Sequence, residues 1–254
     1  MESSKPQQYT GVITKKLQLT KTVFHFFIDI DHPVGFTFVP GQYGTFIIDE
    51  KNRRQYSFCS APSSSSFELV IDVSPMGPGS TYFLKKNVGD TVEVLAPLGN
   101  FMLSKNSLKK VFVATGTGIA PFRSMLLEEM KRLRNQETKK LGILENSRFP
   151  SLQVSFLSSL YWGLRYEDDV YWDTELKAIA GQLVGFQYFL SLSKPSEQWG
   201  GLKGHVTQQV FQQEKNPQNC EFYLCGNTAM ITEMQTQLSA MNVPKEQVKI
   251  DQFY

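Results

Sequence analysis

The chain has 254 residues, 41% of them apolar, which is enough for two ordinary domains with cores of their own. Its 26 basic and 24 acidic side chains leave a net charge of +2 and are mixed along the sequence, so nothing in the charge calls for nucleic acid. Three cysteines, Cys59, Cys220 and Cys225, are an odd number without paired ligand spacing, which excludes a disulfide framework and a four-thiolate iron–sulfur centre.

Met1 to Thr10 is polar and lacks the apolar run of a signal peptide. No stretch approaches the roughly 20 apolar residues of a spanning helix, so no membrane span and a cytoplasmic location are expected. The first hundred residues read as antiparallel strands: Thr10 to Leu19, Val23 to Ile30, Gln42 to Ile48, Gln55 to Ser60, Phe67 to Val73 and Thr91 to Leu95. Phe67, Leu69, Ile71 and Val73 alternate with Glu68, Val70 and Asp72, as suits a sheet with one face on a core. Six short strands predict an antiparallel six-stranded β-barrel. Ser80 to Lys86 adds a short helix, with Gly79 and Ser80 at its start.

Past the polar connection Ser104 to Ser107 the grammar changes to strand, helix, strand, helix. Val111 to Thr115 is an apolar run, Gly116 to Ala120 a turn, and Pro121 stands in the first turn of a helix reaching about Asn135. Strands follow at Gln153 to Tyr161, Phe186 to Leu192, Glu221 to Leu224 and Val248 to Ile250. Helices are predicted near Tyr171 to Ala180, Gly204 to Glu214 and Thr228 to Met241. This is the pattern of an α/β domain with a doubly wound parallel sheet, giving a division into residues 1–105 and 106–254.

Three short signatures stand out in fixed order. The first is Arg54, Gln55, Tyr56, Ser57, which combines a cation, a flat ring and a hydroxyl; strand alternation puts Arg54 and Tyr56 on one face and Ser57 on the other. The second is Gly116, Thr117, Gly118, Ile119, Ala120, Pro121, where glycines between a strand and a helix let backbone amides approach a pyrophosphate. The third is Cys225, Gly226 at the end of a strand, with Met230 beyond as a core candidate. Gly79, Ser80 and Thr81, at a predicted helix start, add free backbone amides suited to a phosphate.

The order and spacing of these signatures from about Thr10 to Phe253 resemble the ferredoxin–NADP reductase superfamily, in a form without an iron–sulfur domain. The resemblance implies an FAD-binding β-barrel followed by an NAD(P)-binding domain, with FAD and NAD(P)H as cofactors. It assigns Arg54 to the flavin phosphates, Tyr56 to the ring or ribityl chain and Ser57 to the reactive flavin nitrogen. The FAD pyrophosphate would rest at Gly79, Ser80 and Thr81. Gly116, Thr117 and Gly118 become the nucleotide loop, with Thr117 near the nicotinamide. Cys225 and Gly226 become the nicotinamide edge, where Cys225 poses the reactive carbon and is not a nucleophile. Asp251 assists proton movement, and Phe253 or Tyr254 covers the flavin until nicotinamide displaces it.

Nucleotide preference is left open by Arg165, a partner for a 2'-phosphate, standing beside Glu167, Asp168 and Asp169, which suit a free 2'-hydroxyl. Lys194, Lys203 and His205 are further phosphate candidates. The expected function is hydride transfer from NAD(P)H to FAD and electron delivery to a separate carrier protein, ferredoxin or flavodoxin. The alternatives are an NAD(P)H:flavin reductase that releases free reduced flavin and a noncatalytic flavin- or nucleotide-binding subunit. No metal is expected, because His25, His32 and His205 lack ligand spacing to one another or to the cysteines. The basic stretch Lys131, Arg132, Arg134, Lys139 and Lys140 could dock an acidic ferredoxin or flavodoxin, but reads first as the solvated face of a helix, and no partner is assigned from it.

Overall fold

In the computed structural model, which describes residues 3–140 and 154–252, the chain divides into two compact units. One comprises Met1–Ser104 with Ala120–Met125, the other Lys105–Ile119 with Leu126–Tyr254. The first turn of the helix after the glycine loop thus belongs with the N-terminal unit, which a single cut at residue 105 does not capture.

The first unit is a six-stranded antiparallel sheet of β1 (Gln7–Gln18), β2 (Val23–His32), β3 (Tyr43–Ile47), β4 (Arg53–Ser57), β5 (Ser66–Asp72) and β6 (Thr91–Leu98). Their order is β4-β3-β6-β1-β2-β5, and the sheet rolls until its edges meet where the Cys59 N–H donates to the Glu68 carbonyl at 2.9 Å. Phe36, Phe38, Phe46, Phe58, Phe67 and Phe83 fill the interior, each at most 1% exposed. Burying each ring stabilises the barrel by about 2–3 kcal/mol relative to exposure. The rings meet tilted or edge to face, Phe38 on Phe58 at 4.6 Å and Phe46 on Phe83 at 5.4 Å. Phe83 comes from α1 (Pro78–Lys85), which covers one end of this core.

A polar cluster fixes the first turn of α2 (Ala120–Lys140) within this unit. Arg123 Nη1 donates to the Cys59 carbonyl at 2.7 Å and to Glu68 Oε2 at 2.8 Å, while His25 Nε2 lies 2.9 Å from the same oxygen. His25 and Cys59, which sequence spacing keeps apart, are therefore neighbours. Their ligand atoms and that of Glu68 fall within 4.8 Å of one another, with the Arg123 guanidinium already on the carboxylate. Burial opposes the charge on Glu68, but hydrogen bonds from His25 and Arg123 and the charge of those partners outweigh it. They hold the carboxyl below its ordinary 4.5.

That contribution to stability is complete above pH 4.5 and is lost as pH falls through the depressed value. Glu68→Gln is expected to cost about 2 kcal/mol at neutral pH and progressively less as pH falls through the depressed value, as read by urea unfolding of parent and variant along an acid series.

The second unit is a parallel sheet in the order β10-β9-β8-β7-β11-β12. Its strands are β7 (Lys109–Thr115), β8 (Val154–Leu164), β9 (Leu183–Leu192), β10 (Leu202–Lys203), β11 (Cys220–Cys225) and β12 (Val248–Asp251). The connecting helices are α3 (Asp173–Gln182), α4 (Val206–Gln213) and α5 (Thr228–Ala240). Val111, Val113, Phe222 and Leu224 of the central strands pack with Val206 and Val210 of α4 and with Met230, Ile231 and Met234 of α5. Met230 is therefore a core residue. From β7 the chain winds outward through β8, β9 and β10, then returns to place β11 on the other side of β7. The order reverses between β7 and β11, and that crevice is where ligands of this architecture bind.

Candidate functional site

In the barrel unit, Arg54 and Tyr56 lie on one face of edge strand β4, opposite Phe46 and Gly44 of β3, and Ser57 is buried on the other face opposite Tyr43. The Tyr56 ring meets Phe83 edge to face at 5.1 Å, and its hydroxyl reaches α1. Burial pushes the phenol up to about 12, against the pull of the Arg54 charge, so it stays a hydrogen-bond donor at neutral pH. Gly79 is where these groups converge. A Cβ there would overlap Tyr56 Oη and stand 2.8 Å from Arg54 Cγ.

Sequence reasoning puts Gly79 and Ser80 at the helix start, but α1 begins one residue earlier, at Pro78, with Gly77 as its cap. Proline is favoured there because its missing N–H would be unpaired anyway. The Gly79 and Ser80 amides, at the second and third helical positions, have no intrahelical partners. The two hydroxyls are committed to backbone carbonyls instead: Ser80 Oγ donates to the Asp72 carbonyl at 3.4 Å and Thr81 Oγ1 to the Met76 carbonyl at 3.3 Å. The groups this end of α1 can offer an anion are thus backbone amides beside the Arg54 stem, whose guanidinium donates to the Arg53 carbonyl at 2.7 Å; amides and a neighbouring arginine are a donor set that fits a pyrophosphate.

In the second unit, the loop Gly116–Ile119 forms a 3-10 turn at the end of β7, and Pro121 falls in the first turn of α2. Gly118 lies against the end of β11: a Cβ would overlap the Cys225 carbonyl and stand 2.9 Å from the Gly226 Cα. Thr115 Oγ1 accepts from the Asn227 N–H at 2.9 Å and from Asn227 Nδ2 at 3.1 Å, and Asn227 Oδ1 in turn caps α5 at the Met230 N–H, 2.8 Å away. Both loops of the crevice are thereby held together by backbone contact and one threonine hydroxyl.

Cys225 is fully buried, with Ala114 of β7 and Asp251 of β12 as strand partners. Burial, and then the neighbouring Asp251 charge, push its thiol well above the ordinary range, so it is a protonated thiol and not a nucleophile at neutral pH. The structure thus brings Gly116, Thr117, Gly118, Cys225, Gly226 and Asp251 to one edge of the parallel sheet. Phe253 and Tyr254 lie outside the described residues.

Arg165 follows β8 and is exposed, and its carbonyl accepts from the Lys194 N–H at 2.9 Å. Glu167 is committed to Ser196, accepting from its N–H at 2.8 Å and its Oγ at 2.7 Å, which holds the carboxyl below its ordinary range. Asp169 accepts from the Tyr166 N–H at 3.0 Å. His205 is the exposed residue before α4, and Lys203 Nζ reaches the Glu197 carbonyl at 3.4 Å.

Sequence reasoning passes over Trp162 and Tyr171. Both donate to the Gly116 carbonyl, Trp162 Nε1 at 2.9 Å and the Tyr171 hydroxyl at 3.3 Å. The available signal was an indole N–H in mid-strand of a buried parallel sheet, which must find an acceptor.

An antiparallel barrel followed by a doubly wound sheet with a glycine loop at its switch point defines a flavin- and nicotinamide-binding oxidoreductase fold. Residues 10–103 match the model of the oxidoreductase FAD-binding domain and residues 112–236 that of the oxidoreductase NAD-binding domain. The chain belongs to the ferredoxin–NADP reductase superfamily.

It is 32% identical over 204 residues to the anthranilate 1,2-dioxygenase electron transfer component of Acinetobacter baylyi, covering 79% of this chain and 54% of that protein. It is 28% identical over 221 residues to a component of the Na(+)-translocating NADH-quinone reductase of Pseudomonas paraeruginosa, covering 81% and 50%. The chain thus spans about half the length of these relatives. The crystal structure of a ferredoxin NADP+ reductase from Neisseria gonorrhoeae with bound FAD and NADP shares the fold, with a TM-score of 0.74 at 19% identity over 98% of this chain and 99% of that one. Among the described residues no helix is long and apolar enough to cross a membrane.

Proposed function

We propose that this chain is an NAD(P)H-dependent flavoprotein reductase that passes hydride from the nicotinamide to FAD and then delivers electrons to a small carrier protein such as ferredoxin or flavodoxin. The observation that carries this reading is the convergence of Arg54, Tyr56 and the α1 amides on Gly79 in a domain of FAD-binding type. Bound FAD supplies the chemistry of accepting a hydride and returning electrons one at a time. In this reading Arg54 neutralises the pyrophosphate, with the Gly79 and Ser80 amides as its donors. Tyr56 packs against the flavin, and Ser57 donates to its reactive ring nitrogen.

Gly116, Thr117 and Gly118 hold the nicotinamide nucleotide at the sheet edge, with Cys225 and Gly226 closing that edge and Asp251 assisting proton movement beside them. Arg165 is the residue to meet a 2'-phosphate, since Glu167 and Asp169 are occupied by loop contacts. The domain boundary falls at residue 105, with Ala120–Met125 counted with the first unit, and three free thiols accord with a cytoplasmic location. A carrier protein is favoured by the likeness to a dioxygenase electron transfer component. The two arginines of the basic stretch are paired, Arg132 with Glu129 and Arg134 with Gln182, which supports reading them as part of a solvated helix face.

The test is an anaerobic visible spectrum of the purified chain before and after NADH and NADPH are added separately. Bleaching of a bound flavin by one nucleotide is expected and identifies the preferred donor. Flavin that is reduced but lost on gel filtration would point to a flavin-releasing enzyme, and no bleaching to a binding subunit. Ser57→Ala is expected to slow flavin reduction on the order of tenfold or more in stopped-flow mixing while nucleotide affinity stays put. Equal hydride-transfer rates in variant and parent would remove Ser57 from the mechanism.

A further inference from the structure

We propose that Trp162 and Tyr171 are positioning residues for the nicotinamide nucleotide, acting through the Gly116 carbonyl to aim the Thr117 amide at the pyrophosphate. The proposal rests on reading residues 116–121 as the nucleotide loop. Trp162 lies in β8 directly opposite Ala114 of β7, two residues before Gly116, and is fully buried. Tyr171 precedes α3, is also buried, and meets the Trp162 ring edge to face at 4.9 Å.

Their two donors converge on one acceptor, with Nε1 at 2.9 Å and the hydroxyl at 3.3 Å. Gly116 has φ 54, and a Cβ there would meet nothing within 4 Å, so the glycine answers to backbone conformation and not to crowding. A planar trans peptide points its carbonyl and the following N–H in opposite directions. Anchoring the Gly116 carbonyl toward Trp162 and Tyr171 therefore turns the Thr117 N–H away from them.

In a free loop this peptide plane could rotate, and the nucleotide would have to order it on binding. Here the ordering is already done by two side chains on neighbouring elements. The gain appears as affinity for any ligand carrying the pyrophosphate, whether or not it carries nicotinamide.

Trp162→Phe and Tyr171→Phe each remove one donor and keep an aromatic ring in place. ADP-ribose has the pyrophosphate without the nicotinamide and is the probe. Each variant is expected to bind it about threefold to tenfold more weakly than the parent. Amide exchange at Thr117 should quicken, and the rate of flavin reduction at saturating nucleotide should match the parent. Unchanged ADP-ribose affinity in both variants, with or without a fall in thermal stability, overturns the proposal and leaves the nucleotide reading intact. A parent chain that binds neither ADP-ribose nor NAD(P)H overturns that reading and the proposal with it. Should Trp162→Phe fail to fold, Tyr171→Phe decides alone.

Discussion

An alanine at position 118 is expected to lower nicotinamide nucleotide affinity on the order of 100-fold while leaving flavin retention unchanged. The added methyl has nowhere to go. Its nearest neighbours are the Cys225 carbonyl oxygen, the Cys225 carbonyl carbon at 2.6 Å and the Gly226 Cα at 2.9 Å, all backbone atoms with no rotamer to change. The end of β11 must therefore separate from the glycine loop, at a cost of about 3 kcal/mol in overpacking. Separation strains the Asn227–Thr115 hydrogen bonds that tie the loops, so the amides and the Cys225 edge lose their registration together. Equilibrium titration with NAD(P)H against flavin content measures both effects on one sample. If nucleotide affinity survives in a folded Gly118→Ala chain, the contact between the loops is not what builds the site.

What could be read in the sequence followed from local chemistry. An apolar run, Gly-Thr-Gly and then a proline place β7, the loop and the start of α2 almost to the residue, because each local preference agrees with the fold. Strand ends fare less well. The run Gln55 to Ser60 reads as one strand, yet β4 stops at Ser57, and Phe58 enters the aromatic core from beyond the end of the strand. The two-residue β10 has no periodicity to detect. Long-range polar pairing is invisible for a different reason. The salt bridges Lys109–Glu214 at 2.7 Å and Lys110–Glu221 at 2.8 Å exist because β7 neighbours β11 and packs against α4, facts of topology and not of spacing. The Glu68–Arg123 and Glu68–His25 contacts follow from barrel closure in the same way. Of the proposed flavin site, the shared face of Arg54 and Tyr56 was legible from strand alternation. Which amides are left unpaired depends on where α1 begins, and Pro78 is the signal that corrects it.

Arg54→Met is expected to weaken FAD binding roughly 100-fold, the loss of charge-assisted contact with a diphosphate. Methionine is the informative replacement because the arginine does two things at once. Its stem packs on Gly79, where a Cβ would lie 2.8 Å from Cγ and 3.3 Å from Cβ, and its head carries the charge. A truncation to alanine would mix a packing defect at the α1 junction with loss of the cation, whereas methionine keeps most of the stem. The thermal midpoint of the flavin-free protein should accordingly stay within a few degrees of the parent's. Lysine at the same position is expected to recover only part of the affinity, since a point charge lacks the planar fork. Fluorescence titration of flavin-free protein with FAD and, in parallel, with riboflavin separates the causes. Riboflavin has the ring without phosphates, so its affinity should be the same in parent and Met variant. A Met variant that binds FAD as tightly as the parent would place the phosphates away from Arg54 and withdraw the α1 N-terminus from the flavin site.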